Sequence, residues 1–339
     1  MVRRHVNIPI FVPHKGCPHN CAFCNQNKIT GVREEMDCNA AQKIIEAHLA
    51  TLADRQNTTV EIAFFGGSFT AVDEKLQAEL CALASRYRAR GDVDGIRCST
   101  RPDCVDRAVL GRLKESGFTM VELGAQSSDD SVLRQCGRGH TFSDTAAASS
   151  LIRESGLSLG LQMMVGLPGD TELGAYKTAR DLILLKPDCV RIYPTLVLPG
   201  TGLDTLYRCG KYIPMGLEQT VEVCATLLEL FERAGIAVIR VGLQTTDEIN
   251  ERTVVGPYHP ALRALAASRV FRRRLERQIC APGRFTVLAN ERDISLLLGE
   301  KRQNIAYLKA RYGAEVTVRA DASVLRGKFF IQRTGTNLL

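Results

Sequence analysis

Short apolar runs alternate along this chain with stretches whose apolar residues recur every three or four positions. Residues 6–12, 60–65, 95–100, 119–124, 157–165, 189–194 and 237–241 are runs of strand length with little polar alternation, as expected of strands buried on both faces. Between them the spacing predicts helices over 40–53, 73–88, 103–116, 143–155, 171–185 and 218–234, the first marked by Ile44, Ile45 and Leu49. Strands alternating with helices of these lengths require right-handed crossovers and a parallel sheet. About six such units fall short of a closed eight-fold barrel, and in parallel α/β folds ligands gather at the carboxyl ends of the strands.

The segment Pro257-Tyr258-His259-Pro260 breaks the pattern and divides a core of residues 1–256 from a tail of 257–339. In the tail the periodicity predicts a helix over 261–278, a strand over 285–288, a helix, short loop and second helix centred on 294–305, and a strand over 314–319. The reading is an α/β core with a smaller α+β domain. Of 339 residues, 45% are apolar and 24% charged, the balance of a soluble globular protein. The apolar start is broken by Asn7 and Pro9 and is too short for a secretory segment, and no stretch approaches a membrane span. Twelve cysteines with such a start point to a reducing cytoplasm. The net charge of +7 is uneven: residues 261–339 hold 16 Lys and Arg against 6 Asp and Glu, a surplus of 10, which leaves −3 for the rest. A basic tail suggests a polyanionic partner, although a solvated basic face is the commoner origin of a charge run.

The densest chemistry lies in Gly16-Cys17-Pro18-His19-Asn20-Cys21-Ala22-Phe23-Cys24. Three thiolates from one short loop can hold three irons of a 4Fe-4S cluster and leave the fourth iron open to a second molecule. Zinc sites usually take two CxxC-like pairs, and no second pair exists here. Disulfides need an oxidising compartment that nothing in the chain suggests. The remaining nine cysteines read as small buried hydrophobes.

The spacing of Cys17, Cys21 and Cys24, with aromatic Phe23 before the third, resembles the radical S-adenosylmethionine (SAM) superfamily. The resemblance implies a partial (β/α)6 barrel in which the cluster chelates SAM, reductively cleaves it, and starts radical chemistry with a 5′-deoxyadenosyl radical. It also implies an external electron donor such as flavodoxin or ferredoxin. Residues carried over as SAM-binding are Phe23 beside the adenine, Gly66, Gly67 and Ser68 after the second strand, Glu122 and Gln126 at the fourth, and Met163 at the fifth. Ser68 stands where the family commonly has an acid. Gly-Gly after a strand is also an ordinary tight turn, and Met163 also reads as barrel filling. Asp103 reads as the cap of the helix that follows it, and Arg101 either as facing an anion or as an exposed loop residue. A glutamate inside an apolar strand, as Glu122 is, demands a partner.

The wording of residues 99–103, 122–127, 163–169, 191–195 and 200–203 resembles one branch, that of the Elongator catalytic subunit, a tRNA-modifying enzyme. No acetyltransferase domain follows in this sequence, so the reaction that needs it is not carried over. Residues 284–333 resemble a KH domain, in which a Gly-x-x-Gly loop clamps the nucleic-acid backbone. Here Gly299 is present, but Arg302 stands where the second glycine belongs. Gly299, Lys301 and Arg302, with the arginines of the 261–278 helix, are the candidate contacts to tRNA or other RNA, against a purely structural role for the tail. Two other functions compete: an anaerobic coproporphyrinogen-oxidase-like enzyme, and a non-catalytic iron-sulfur protein that binds RNA or carries electrons.

Overall fold

A computed structural model describes residues 4–12, 17, 19, 21–25, 36–246 and 249–334; Gly16, Pro18 and Asn20 of the cysteine motif lie outside the described residues. The chain divides into two units, residues 1–216 with 231–260, and residues 217–230 with 261–339.

The first unit is an open half-barrel of seven parallel strands: β1 (Arg4–Val12), β2 (Thr58–Gly66), β3 (Gly95–Thr100), β4 (Met120–Gln126), β5 (Ser158–Val165), β6 (Cys189–Pro194) and β7 (Ala237–Val241). They lie side by side in chain order. Helices α1 (Cys38–Ala50), α2 (Glu74–Ala89), α3 (Arg107–Glu115), α4 (Asp130–Gln135), α5 (Phe142–Glu154), α6 (Glu172–Leu184) and α7 (Gly202–Arg208) fall between the strands. The short helices α4 and α7 stand where no helix is predicted. Side-chain caps fix several starts: Asp37 accepts from Ala40 N, Asp73 from Lys75 N, and Thr141 forms a capping box with Asp144. Asp103 does not cap α3; that place belongs to Asp106, whose carboxylate accepts from Val109 N at 2.7 Å. Buried Ile8, Ile62, Ile96, Val121 and Leu159 run through successive strands. Phe64 stacks on Phe69 with ring centroids 4.4 Å apart.

The second unit has a three-stranded sheet in which β8 (Gly283–Ala289) is central, parallel to β9 (Ala314–Ala320) and antiparallel to β10 (Phe329–Thr334). Helices α9 (Leu262–Glu276), α10 (Ile294–Leu298) and α11 (Gln303–Tyr312) complete its core around Phe271, Leu275, Val287, Leu297 and Leu308. Helix α8 (Leu217–Arg233) enters this unit through residue 230 and brings three glutamates, so the unit's surplus of positive charge is 10 less 3, or 7. These glutamates hold the basic helix. Arg269 pairs with Glu218 at 2.8 Å and with Glu222, Arg273 with Glu222 and with Glu229 at 3.1 Å, and Arg277 with Glu229 at 3.3 Å. Arg272 reaches Glu222 at 3.2 Å, and Arg274 donates to the Gly327 carbonyl at 3.2 Å. Arg269, Arg272, Arg273 and Arg277 are therefore ion-paired within the unit.

Candidate active site

The carboxyl ends of the strands open onto a cleft of about 680 Å³, and Cys17, Cys21 and Cys24 all line it. Their segment has no regular structure, yet backbone bonds fix it. Cys24 N donates to Cys21 O at 3.0 Å, Ala22 N to Cys136 O at 2.9 Å, and Leu203 N to Ala22 O at 2.7 Å. Phe23, half-buried, packs against clusters containing Val132, Met164, Leu203 and Tyr212.

The turn after β2 brings Gly66, Gly67 and Ser68 to the same cleft. Gly66 has φ +110°, which disfavours a side chain, and a Cβ there would lie 3.0 Å from the Val12 carbonyl oxygen. Gly67 N donates to that same oxygen at 3.1 Å. Ser68 is buried, and its hydroxyl lies 3.7 Å from Cys17 Sγ.

Cys21 is the most enclosed of the three cysteines, and two buried guanidiniums face its sulfur: Arg138 at 3.3 Å and Arg101 at 3.9 Å. Arg101 is thus no exposed loop residue. It forms a two-point pair with Asp103 at 2.9 and 2.8 Å; burial opposes its charge, but the groups around it, Asp103 foremost, together raise its pKa. Arg138 also donates to the Gly124 carbonyl. Glycine at 124 leaves room for this, since a Cβ would stand 2.9 Å from Gln126 Nε2 and 3.0 Å from an Arg138 nitrogen. Sequence reasoning missed Arg138; the available signal was an arginine between two glycines just after a short helix.

Glu122 finds the partner its burial demands. Arg191 donates to both of its carboxylate oxygens and Arg97 Nε lies 2.9 Å away; Arg97 in turn reaches Glu61 at 2.9 Å, and His5 completes the row at 2.7 Å from Glu61. The Arg191 guanidinium also lies over the Phe65 ring, 5.1 Å from its centroid. Burial alone would weaken the Arg191 charge, but Glu122 outweighs it and holds the guanidinium pKa above its ordinary value. Gln126 sits at an irregularity of the β4–β5 register with φ +67°, and its Oε1 accepts from Gln162 Nε2 at 3.2 Å. Bulges of this kind re-aim a side chain, and Gln126 lines the cleft. Met163 is fully buried and does not line the cleft, whereas its neighbours Gln162 and Met164 do. Adjacent strand residues point to opposite faces, so Met164 rather than Met163 faces the cleft.

Close to this group, His140 is buried with neither ring nitrogen in hydrogen-bonding geometry. Burial, and then the Arg138 charge, push its pKa down to about 4. An unfolded histidine titrates near 6.5. Between about 4 and 6.5 the unfolded chain binds a proton that the folded chain refuses, so stability falls as pH drops through that window. Asp170, pushed up to about 6 by burial, acts in the opposite sense, its folded form keeping a proton that the unfolded chain loses. His140→Leu is therefore expected to make the pH profile of urea midpoints less acid-sensitive between about pH 4 and 6.5. A profile parallel to wild type would place the acid loss elsewhere.

The donor set suits an iron-sulfur cluster. Three sulfurs face one cleft, one of them against two guanidiniums. Among the described residues no three His, Cys, Asp or Glu side chains converge as they would on a single ion; a cubane spaces its thiolates more widely. In the second unit, Gly299, Lys301 and Arg302 share one exposed turn between α10 and α11. Lys301 has φ +47° and Arg302 φ +61°, left-handed conformations that cost an L-residue about 1–2 kcal/mol each. Arg302 thus adopts the backbone that a glycine would take freely.

Residues 11–182 match the Radical SAM superfamily, and residues 187–272 match the Radical_SAM C-terminal domain. The first match covers half of the chain, and the chain belongs to the radical SAM superfamily, enzymes that use a 4Fe-4S cluster and SAM. Within it, the chain is 38% identical over 127 residues to the tRNA uridine(34) acetyltransferase of Methanocaldococcus jannaschii, covering 37% of this chain and 24% of that protein. It is 29% identical over 230 residues to the tRNA uridine(34) acetyltransferase of Dehalococcoides mccartyi, covering 58% and 50%. Protein YhcC of Escherichia coli is 28% identical over 205 residues, covering 58% and 63%. The chain spans roughly a quarter to a half of the length of these two acetyltransferases. The solved structure of Methanocaldococcus infernus Elp3 with an N-terminal deletion shares the fold, with a TM-score of 0.63 at 20% identity over 81% of this chain and 64% of that one. No helix among the described residues is long and apolar enough to cross a membrane.

Proposed function

We propose that Cys17, Cys21 and Cys24 hold the 4Fe-4S cluster, that the Gly66-Gly67-Ser68 turn and Gln126 receive SAM, and that the substrate is RNA, with tRNA foremost. Bound there, the cluster and SAM supply one-electron cleavage and a radical that abstracts hydrogen. The chain's own residues position and enclose. Phe23 anchors the cysteine segment to two apolar clusters, Gly66 lets backbone come close to a ligand, and the neutralised row from His5 to Arg191 keeps the barrel interior polar without leaving a bare charge. The electron comes from a flavodoxin or ferredoxin, and the protein works in the cytoplasm. The observation that carries the RNA reading is the similarity to relatives named as tRNA-modifying enzymes.

Lys301 and Arg302, on the exposed turn and outside the α8–α9 ion pairs, are the proposed phosphate contacts. Each phosphate contact contributes close to one unit of slope to the dependence of log affinity on log salt. A Lys301→Glu, Arg302→Glu double variant is expected to weaken tRNA binding at least about tenfold at 100 mM salt and flatten the salt slope, while uncoupled SAM cleavage stays at the wild-type rate. Unchanged affinity and slope would remove this turn from the RNA interface. A nucleoside profile of co-purified and cellular RNA identical in deletion and wild-type cells would sink the RNA substrate itself.

A further inference from the structure

We propose that Arg138 is the counter-charge of the cluster at Cys21 and sets how readily that cluster takes up an electron. The inference rests on reading Cys21 as a ligand. Arg138 is 6% exposed, and its guanidinium has two acceptors, Cys21 Sγ at 3.3 Å and the Gly124 carbonyl. Among the described residues no carboxylate pairs with it. Among the described residues the other three fully buried arginines of the barrel are matched by carboxylates, Arg97 by Glu61 and Glu122, Arg191 by Glu122, and Arg101 by Asp103, while half-buried Arg240 of the cleft donates to the Gly242 carbonyl. A buried charge without a partner is costly, so a fold that keeps one has an anion to set against it. A neutral thiol does not fill that role; an iron-bound thiolate does.

Cys21 meets both Arg138 and the already compensated Arg101, and the Ser68 hydroxyl lies beside Cys17. On reduction the cluster gains one electron and one unit of negative charge, close to a fixed positive charge where water does not screen it. Attraction favours the reduced form and raises the potential, since charge and hydrogen bonds near the sulfurs are what tune such clusters. Arg138 acts through Cys21 and is a positioning residue.

The test uses the full chain with its cluster reconstituted and no SAM present, titrated with dithionite and followed by electron paramagnetic resonance, with iron and sulfide measured on each sample. One electron passes from dithionite to the cluster and nothing else is bound or released. Arg138→Gln keeps a donor and removes the charge. Its reduced-to-oxidised ratio at fixed potential is expected to fall at least about tenfold, equivalent to about 59 mV for one electron, with iron content unchanged. Arg138→Lys is expected to recover more than half of that shift, which a purely structural role would not produce. Asp103→Asn uncovers the Arg101 charge and is expected to move the potential upward, an opposite sign that needs no change at Arg138. An unshifted potential in iron-replete Arg138→Gln, or no upward shift in Asp103→Asn, would overturn the proposal. Full iron in Cys21→Ala would overturn the ligand reading and this inference with it.

Discussion

Alanine at any one of Cys17, Cys21 or Cys24 is expected to abolish the broad iron-sulfur absorbance and reduce 5′-deoxyadenosine formation to less than about one hundredth of wild type. Loss of a partner one layer out from a metal commonly costs 10–100-fold, and loss of a ligand costs more. The contrast is with cysteines that burial keeps as thiols: Cys136 is pushed up to about 12 and Cys224 to about 12, values at which neither supplies a thiolate. Cys136→Ala and Cys224→Ala should therefore retain iron and SAM cleavage. Anaerobic reconstitution with iron and sulfide, followed by metal analysis and chromatography of the SAM products, checks both halves. A triplet variant with full iron and wild-type cleavage would refute the assignment.

Glu122→Ala is expected to be the most destabilising single change in the barrel, lowering unfolding free energy by about 3–5 kcal/mol. The carboxylate is 3% exposed and compensates Arg191 and, in part, Arg97. Removing it strands the Arg191 charge and leaves Arg97 with Glu61 alone, and a buried pair broken on one side costs more than the pair was worth intact. Urea unfolding followed by circular dichroism gives the number. A loss under about 1 kcal/mol would mean that water reaches the guanidiniums. Relief of more than half the loss in a Glu122→Ala, Arg191→Met double variant would show that the stranded charge, rather than the missing packing, carries the effect.

The seven strands were legible in sequence because strands buried on both faces are written as near-continuous apolar runs. That same property hid which side chains face the cleft. Met163 and Met164 are equally apolar neighbours, and nothing in a two-sided strand fixes the phase of its alternation, so the choice between them needed coordinates. The cysteine triplet and Gly-Gly turn could be read because their chemistry depends on local spacing. Arg138 could not, since its meaning comes from a sulfur 117 residues earlier in the chain. The neutralisation of α9 was missed for a related reason: its arginines look free until α8 supplies glutamates from outside the predicted tail. Helices α4 and α7, 6 and 7 residues long, are too short to show a helical period. Strand β10 did carry a signal in Phe329-Phe330-Ile331, three residues of high strand propensity that went unassigned.

Seven strands laid down in the order they are spoken by the chain give the protein a history as well as a shape. Each new strand docks on the one made just before it, so the sheet can lengthen during synthesis from β1 outward, without waiting for a distant partner. The cysteines follow β1, and the groups around them come later in the chain: Ser68 after β2, Arg101 after β3, Arg138 only after β4, and the Leu203 amide that grips the cysteine segment after β6. Iron delivered to the nascent chain would meet three bare thiols and no enclosure. The enclosure described around the cysteines therefore requires a chain that has passed β6.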